Sequence, residues 1–474
     1  MTSLTIKLVL ADAHRARRIV GCLVLALAGT LGACNATDTL LEATDPDLIN
    51  PEVAQSPDGA LALYFGALGR LRTMTGGGES VWLFGGLLAD EWSTSSTFVQ
   101  NDEVDQRATQ TNNSIVTGMF RDIFRTRTSS NQAIATMKEF RSTETSRIAE
   151  LYFARGFAEM QAAQDFCNGI PLSDGTGIEI IYGVPLPVAD IFRTAVASFD
   201  TALLVATGTD AATTSVRNAV RIAKARAQLG LGLVSEAAVT VATIPTSYSY
   251  NNSFAVTSGD NILWNQPFSA GRYTVSDSLE GNARNLLVRN AIPFFSAKDP
   301  RVPVFYTLAS NNRDTVKAQD GLTFIRKTSI WARTTVVPVV NGTDARLVEA
   351  EGKLKENDVP GMLSILNALR AAPPKLGEIQ PVAMPALTDP GTADARINLL
   401  FRERAFWTFS RGQRLGDMRR LIRQYGRTAA NTFPVGTHYR GGTYGVDVNL
   451  PVPQAEQNNP NVGTQKPTCL DRNA

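Results

Sequence analysis

General-base catalysis leans on histidine, and the 474-residue chain has two, His14 and His438. A Ser-His-Asp or Cys-His arrangement would have to rest on His438, in "VGTHYRGGTYG", where no nucleophile motif accompanies it. The same count excludes a histidine metal cluster. Asp90-Glu91 are adjacent, whereas a glycosidase sets its two carboxyl groups on opposite sides of a sugar bond, so Asp90 is read as a helix-end or turn contact. The run Gly76 to Gly78 lacks the lysine of a phosphate loop and is read as a turn. What remains is the chemistry of binding. Trp92, Phe98 and Asn101 in one stretch, and Trp264, Asn265 and Tyr273 in another, combine aromatic faces with amides, the types that hold a sugar ring by its apolar face and its hydroxyls. These six are the candidate ligand-binding residues, with no catalytic residue and no cofactor.

Both stretches are loop-like and need a scaffold to position them. One runs from Thr75 to Gln110; the other, 245 to 340, is rich in Ser, Asn, Thr, Gly and aromatics and has no helical period. Around them the pattern is helical. In "PVADIFRTAVASFDTALLVA", Val188, Ile191, Phe192, Ala195, Phe199 and Leu203 fall on one face of a 3.6-residue repeat. "SRIAELYFARGFAEMQAAQDF" carries two apolar stripes and so packs on two sides. "SVRNAVRIAKARAQLGLGLVSEAAVTVA" reads as two helices broken at Gly230 and Gly232. "DARLVEAEGKLKENDVPGMLSILNALRA" repeats the design, with Asn357-Asp358 ending one helix and Pro360 in the first turn of the next. Helix pairs of this kind resemble tetratricopeptide units, which bury their faces only by stacking. The expected fold is mostly α: an irregular tetratricopeptide-like scaffold at about 55–75, 114–244 and 344–425, with long inserted loops, a few short strands and an extended strap at 430–474.

The N-terminus addresses the chain. "HRARR" precedes an apolar run from Ile19 to Thr30, too short to span a bilayer, which needs about 20 residues. Basic residues, a short apolar run and then small residues are the layout of a signal peptide, here residues 1–33. Its ending, Leu31-Gly32-Ala33-Cys34, resembles a lipobox, which makes Cys34 the lipid-attachment residue and the membrane anchor. Removing residues 1–33 takes the formal charge from +2 to about −1, and no basic face for nucleic acid is left. Of the four cysteines, Cys167 and Cys469 then remain, an expected disulfide in an oxidising compartment.

The C-terminal third carries a family resemblance. "LLFRERAFWTFSRGQRLGDMRRL" and "NLPVPQAEQNNPN" supply Glu403-Arg404, Gly412-x-Arg414, Asp417-x-Arg419-Arg420, Pro451-x-Pro453 and Asn459-Pro460. This series resembles the closing signature of the SusD/RagB family, surface lipoproteins that capture nutrients for TonB-dependent transporters. "DPDLINPEV", "LLADE", "KDPRV" and the late helix pair stand in family order. The family often has Leu and Glu where this chain has Trp407 and Ser410. The resemblance spans residues 34–474 as one SusD-like domain and is weakest at 245–340.

Residue chemistry gives the signature structural work: Gly412 for a close helix turn, Glu403 or Asp417 to pair with Arg414, Arg419 or Arg420, and Pro451-Val452-Pro453 as an extended strap. The resemblance implies a lipid-anchored protein of the bacterial outer membrane, facing the cell surface. It would bind a nutrient, a glycan foremost, and pass it to a SusC-like TonB-dependent β-barrel. Two other classes fit the residues less well: an envelope scaffold without a small ligand, and a lipid-anchored glycan hydrolase.

Overall fold

Ser56 starts the first helix, α1 (Pro57–Gly76): its Oγ accepts the Gly59 N–H at 3.0 Å, and Pro57 takes a first-turn position where no N–H is needed. The structure, a computed structural model, describes residues 55–77, 80–177, 179–310 and 315–462. The expected signal peptide, Cys34 and Cys469 lie outside the described residues.

Helices follow in order: α2 (Val81–Leu88), α3 (Val99–Asp105), α4 (Ser114–Phe140), α5 (Thr145–Asp165), α6 (Val188–Val205), α7 (Ala211–Gly230), α8 (Val234–Val241), α9 (Gly342–Lys355), α10 (Val359–Ala371), α11 (Ala393–Trp407) and α12 (Arg414–Tyr425). From α5 to α10 each packs on its predecessor in the series, and α1 packs on α4. The α6 stripe buries Val188, Ile191, Phe192, Ala195 and Phe199, while α5, with its two stripes, is buried almost throughout. α7 ends at Gly230, with Gly232 left-handed at φ +79°. Asn357 turns between α9 and α10, and the Asp358 carboxylate caps α10 by accepting the Gly361 N–H at 2.9 Å. The result is a mostly α scaffold with short antiparallel strand pairs, as the sequence pattern predicts.

One stretch differs from its reading. Thr75 to Gln110, expected as loop, holds α2 and α3, and every residue of α2 is buried. "VWLFGGLL" is apolar on all sides, so it has no amphipathic period to betray a helix; it is a central core helix instead.

The strand pairs come mainly from the insert. β1 (Trp92–Thr94), β2 (Ile170–Pro171) and β3 (Pro185–Leu186) lie outside it. Inside it lie β4 (Ser249–Asn252), β5 (Tyr273–Val275), β6 (Leu279–Glu280), β7 (Leu286–Leu287), β8 (Val304–Tyr306), β9 (Arg326–Thr328) and β10 (Val337–Asn341). Pairing is antiparallel throughout: β1 with β5, β2 with β3, β4 with β10, β6 with β7 and β8 with β9.

Buried ion pairs lock the corner between α11 and α12 to the rest. Arg404 grips Asp417 with two bonds, 2.7 and 2.9 Å, and Arg420 reaches Asp417 at 3.2 Å and Glu351 of α9. Arg411 forks onto Asp344 at 2.9 and 2.7 Å. Glu403 corrects the expectation: it turns away from the α12 arginines and takes Arg301, of "KDPRV", at 2.6 and 3.1 Å and Arg370 at 2.8 Å. Among the described residues Arg419 pairs with no carboxylate; its Nη1 donates to the carbonyls of Ala163 and Gln164. Ser410, the departure from the family pattern, accepts the Trp331 Nε1–H at 2.6 Å and donates its backbone N–H to Glu91 at 2.9 Å. Gly412, at φ +62°, lies where a Cβ would meet Trp82 at 2.0 Å. The strap runs alongside: Leu450 N–H donates to Asp165 O at 2.8 Å, and Cys167 N–H to Leu450 O at 3.0 Å.

Candidate functional site

Pairing of β1 with β5 sets Trp92 opposite Val275 and Tyr273 opposite Thr94. The sheet face carrying Trp92 and Tyr273 lies on the core: Trp92 is 5.0 Å from Phe409 and 6.5 Å from Tyr273, ring to ring, and Tyr273 is 6.3 Å from Phe84. Trp92, Tyr273 and Asn101 are 1%, 0% and 1% exposed. These three expected ligand residues are therefore corrected to core packing, because a ligand cannot reach a side chain with no accessible surface.

The other three stay at the surface. Phe98 is exposed, with the Arg272 guanidinium 4.8 Å above its ring. Its loop is fixed by Ser96 Oγ, which accepts the Phe98 N–H at 3.1 Å and donates to Gln319 Oε1 at 3.1 Å. Trp264 and Asn265 sit on a tight helical turn, Ile262–Trp264, that widens into a π turn over Asn265–Ser269. Asn261 builds this turn. Its Oδ1 accepts the Leu263 N–H at 3.0 Å, and its Nδ2 donates to Thr335 O at 3.3 Å.

On one side of the turn is an aromatic shelf. Half-buried Trp264 stacks on Phe268 with centroids 6.0 Å apart and planes at 20°, Phe305 meets Phe268 edge-on at 6.5 Å, and Lys327 Nζ lies 4.4 Å from the Phe268 centroid. On the other side is a groove of about 540 Å³ between the end of α1 and loop 254–265. Arg72, Thr73, Phe254, Ser258, Asp260, Asn265 and Arg333 line it. Asp260 takes Arg333 Nε at 2.6 Å and Asn265 Nδ2 at 3.3 Å. Arg72 donates to Ser258 O at 2.6 Å and lies 5.6 Å from the Phe254 centroid. A second hollow of about 650 Å³, against Thr246, Ser247, α9 and α10, has no aromatic lining among the described residues.

Phe268, Phe305, Lys327, Arg72 and Arg333 were not legible as site residues. Phe268 follows Trp264 by four positions, the spacing at which residues on a helical turn face one another, and that signal was available. Arg72 lies on a helix some 190 positions away in sequence, and only the fold brings it in.

The titratable groups singled out in the sequence lie in the core. His438 is buried; its Nε2 is 3.2 Å from Asp105, its Nδ1 accepts the Arg440 N–H at 3.2 Å, and among the described residues neither a serine nor a cysteine is a partner. Burial raises Glu91 to about 8 and Asp165 to about 7, yet both are enclosed in the core. Among the described residues no cluster of three or more His, Cys, Asp or Glu could hold a metal. The Cys167 Sγ accepts the Val452 N–H at 3.4 Å; its expected partner, Cys469, lies outside the described residues.

The chain matches no family model and no curated protein. Solved structures do match. A SusD-like carbohydrate-binding protein from Bacteroides fragilis superposes with a TM-score of 0.60 at 14% identity, over 86% of this chain and 99% of its own. A SusD superfamily protein from Bacteroides fragilis gives 0.56 at 16% identity, over 85% and 97%. A laminarin-binding SusD-like protein gives 0.55 at 14% identity, over 85% and 98%. The fold is that of the SusD-like proteins.

Proposed function

We propose that this chain, with its SusD-like fold, is a non-catalytic glycan-binding protein of the SusD/RagB family. It is anchored through Cys34 in the outer membrane, facing the cell surface, and hands its ligand to a SusC-like TonB-dependent β-barrel. Anchoring, location and partner rest on the lipobox and on the resemblance of the C-terminal signature. The observation that carries the binding role is the shelf of Trp264, Phe268 and Phe305 next to the groove of Asp260, Asn265 and Arg333. Aromatic carbon beside fixed donors and acceptors is what a pyranose requires. The names of the neighbouring structures, carbohydrate-binding and laminarin-binding, support the same reading.

The test is a titration of the Cys34→Ser chain against a glycan panel by tryptophan fluorescence, with an assay for products. Saturable quenching without product supports capture. Product formation, lost with a single carboxylate change, would make it a hydrolase. Absence of binding across broad glycan and peptide panels would leave the envelope-scaffold reading. Co-purification of a large β-barrel with the anchored form tests the partner.

A further inference from the structure

The groove and shelf are not electrically neutral. Asp260 is already taken by Arg333 and Asn265. Arg72 has neutral acceptors: Ser258 O at 2.6 Å, with Ser253 O and Ser258 Oγ both at 3.3 Å. Lys327 is half-buried over Phe268, and burial lowers its ammonium below the ordinary lysine value. Among the described residues, no carboxylate lies within 4 Å of either cation. Both border the turn that carries Trp264 and Asn265, so two cations with no carboxylate partner among the described residues flank the candidate site. From Cys34 onward the formal charge is about −1, so this positive character is local.

The aromatic rings point the same way. A neutral pyranose gains most by laying its C–H face on an open ring. Here the Phe254 ring carries Arg72, and Phe268 is shared between Trp264 and Lys327. A cation over a ring is attracted to that face and competes with a sugar for it. An anionic group meets no such competition: a guanidinium fork matches the planar edge of a carboxylate or the oxygens of a sulfate, and a partly desolvated cation gains more from an anion than a solvated one does.

We infer that the site selects acidic glycans, oligosaccharides bearing a uronate carboxylate or a sulfate ester, with the anionic group held by Arg72 on the groove side or by Lys327 on the shelf side and the sugar ring set beside Trp264. This rests on the carbohydrate-capture reading above.

Calorimetry on the Cys34→Ser chain at low salt tests it with two matched pairs. One is an oligouronate and its carboxyl-reduced counterpart; the other is a sulfated oligosaccharide and its desulfated form. The expected result is a preference of about tenfold or more for the charged member of at least one pair, shrinking as salt rises. Whichever pair shows it identifies the anion. Arg72→Gln or Lys327→Gln, each checked for an unchanged circular-dichroism spectrum, should reduce that ratio. Neutral members bound as tightly as charged ones overturn the inference and leave glycan capture standing, as does a ratio unchanged in both variants. Failure to bind any carbohydrate in the broad panel overturns both.

Discussion

Arg414 Nε and Nη2 meet the two carboxylate oxygens of Asp90 at 2.6 and 2.9 Å, joining residues 324 positions apart. Both side chains are buried, and Asp90 Oδ2 also accepts the Ile292 N–H at 2.8 Å, so three distant segments meet at one carboxylate. Removing either partner strands a charge in the core. Asp90→Ala should cost about 3–5 kcal/mol in denaturant unfolding. An effect below 1 kcal/mol would mean the pair is solvated.

Gly412 and Gly426 separate crowding from backbone strain. Both are left-handed, at φ +62° and +67°; a Cβ at Gly412 would meet Trp82 at 2.0 Å, whereas Gly426 faces open space. Gly426→Ala should cost about 1–2 kcal/mol, the penalty for an L-residue in that region. Gly412→Ala should cost clearly more, or fail to fold, as a thermal melt of the two variants would show.

Stability should fall as pH rises toward 8. Burial holds Glu91 at about 8 against an ordinary 4.5, and Asp165 at about 7 against 3.8. Between its ordinary and its raised value each group keeps its proton in the folded chain and gives it up when unfolded. Its contribution is complete below the ordinary value and drains by about 1.4 kcal/mol per pH unit up to the raised one. Between pH 7 and 8 Glu91 acts after Asp165 has finished. Subtracting the Glu91→Gln unfolding curve from that of the parent should therefore show a negative slope there, and a flat difference would refute the buried neutral acid.

Cys167 and Cys469 are expected to be linked. Non-reducing peptide mapping should recover the joined pair, and reduction should lower stability by roughly 2–5 kcal/mol. Recovery of both as free thiols contradicts it.

Surface and core aromatics should respond differently. Trp264→Ala should weaken glycan binding roughly tenfold with little change in melting temperature, the scale of one lost aromatic contact. Tyr273→Phe should leave binding unchanged, since that ring is enclosed by Phe84 and Trp92. Equal losses in binding for the two would remove the distinction drawn between shelf and core.

Local signals carried much of the scaffold. The apolar period of α6, the Ser56 cap, the Gly230–Gly232 break and the Asp358-Pro360 restart each lie within one or two turns of chain, where spacing and cap chemistry act without outside help. α2 was missed for the complementary reason: a helix buried on every side shows no period.

What the sequence determined by itself was the set of residue types: helix faces, a corner glycine, arginines and carboxylates in a signature, and aromatics clustered in two loops. Tertiary structure decided their partners. Glu403 goes to Arg301 and Asp90 to Arg414 because those groups converge only after the helices stack. Trp92 and Tyr273 became core, while Trp264 stayed at the surface, because strand pairing between segments about 180 residues apart sets which face is covered. Exposure depends on everything packed around a side chain, and no local pattern encodes it.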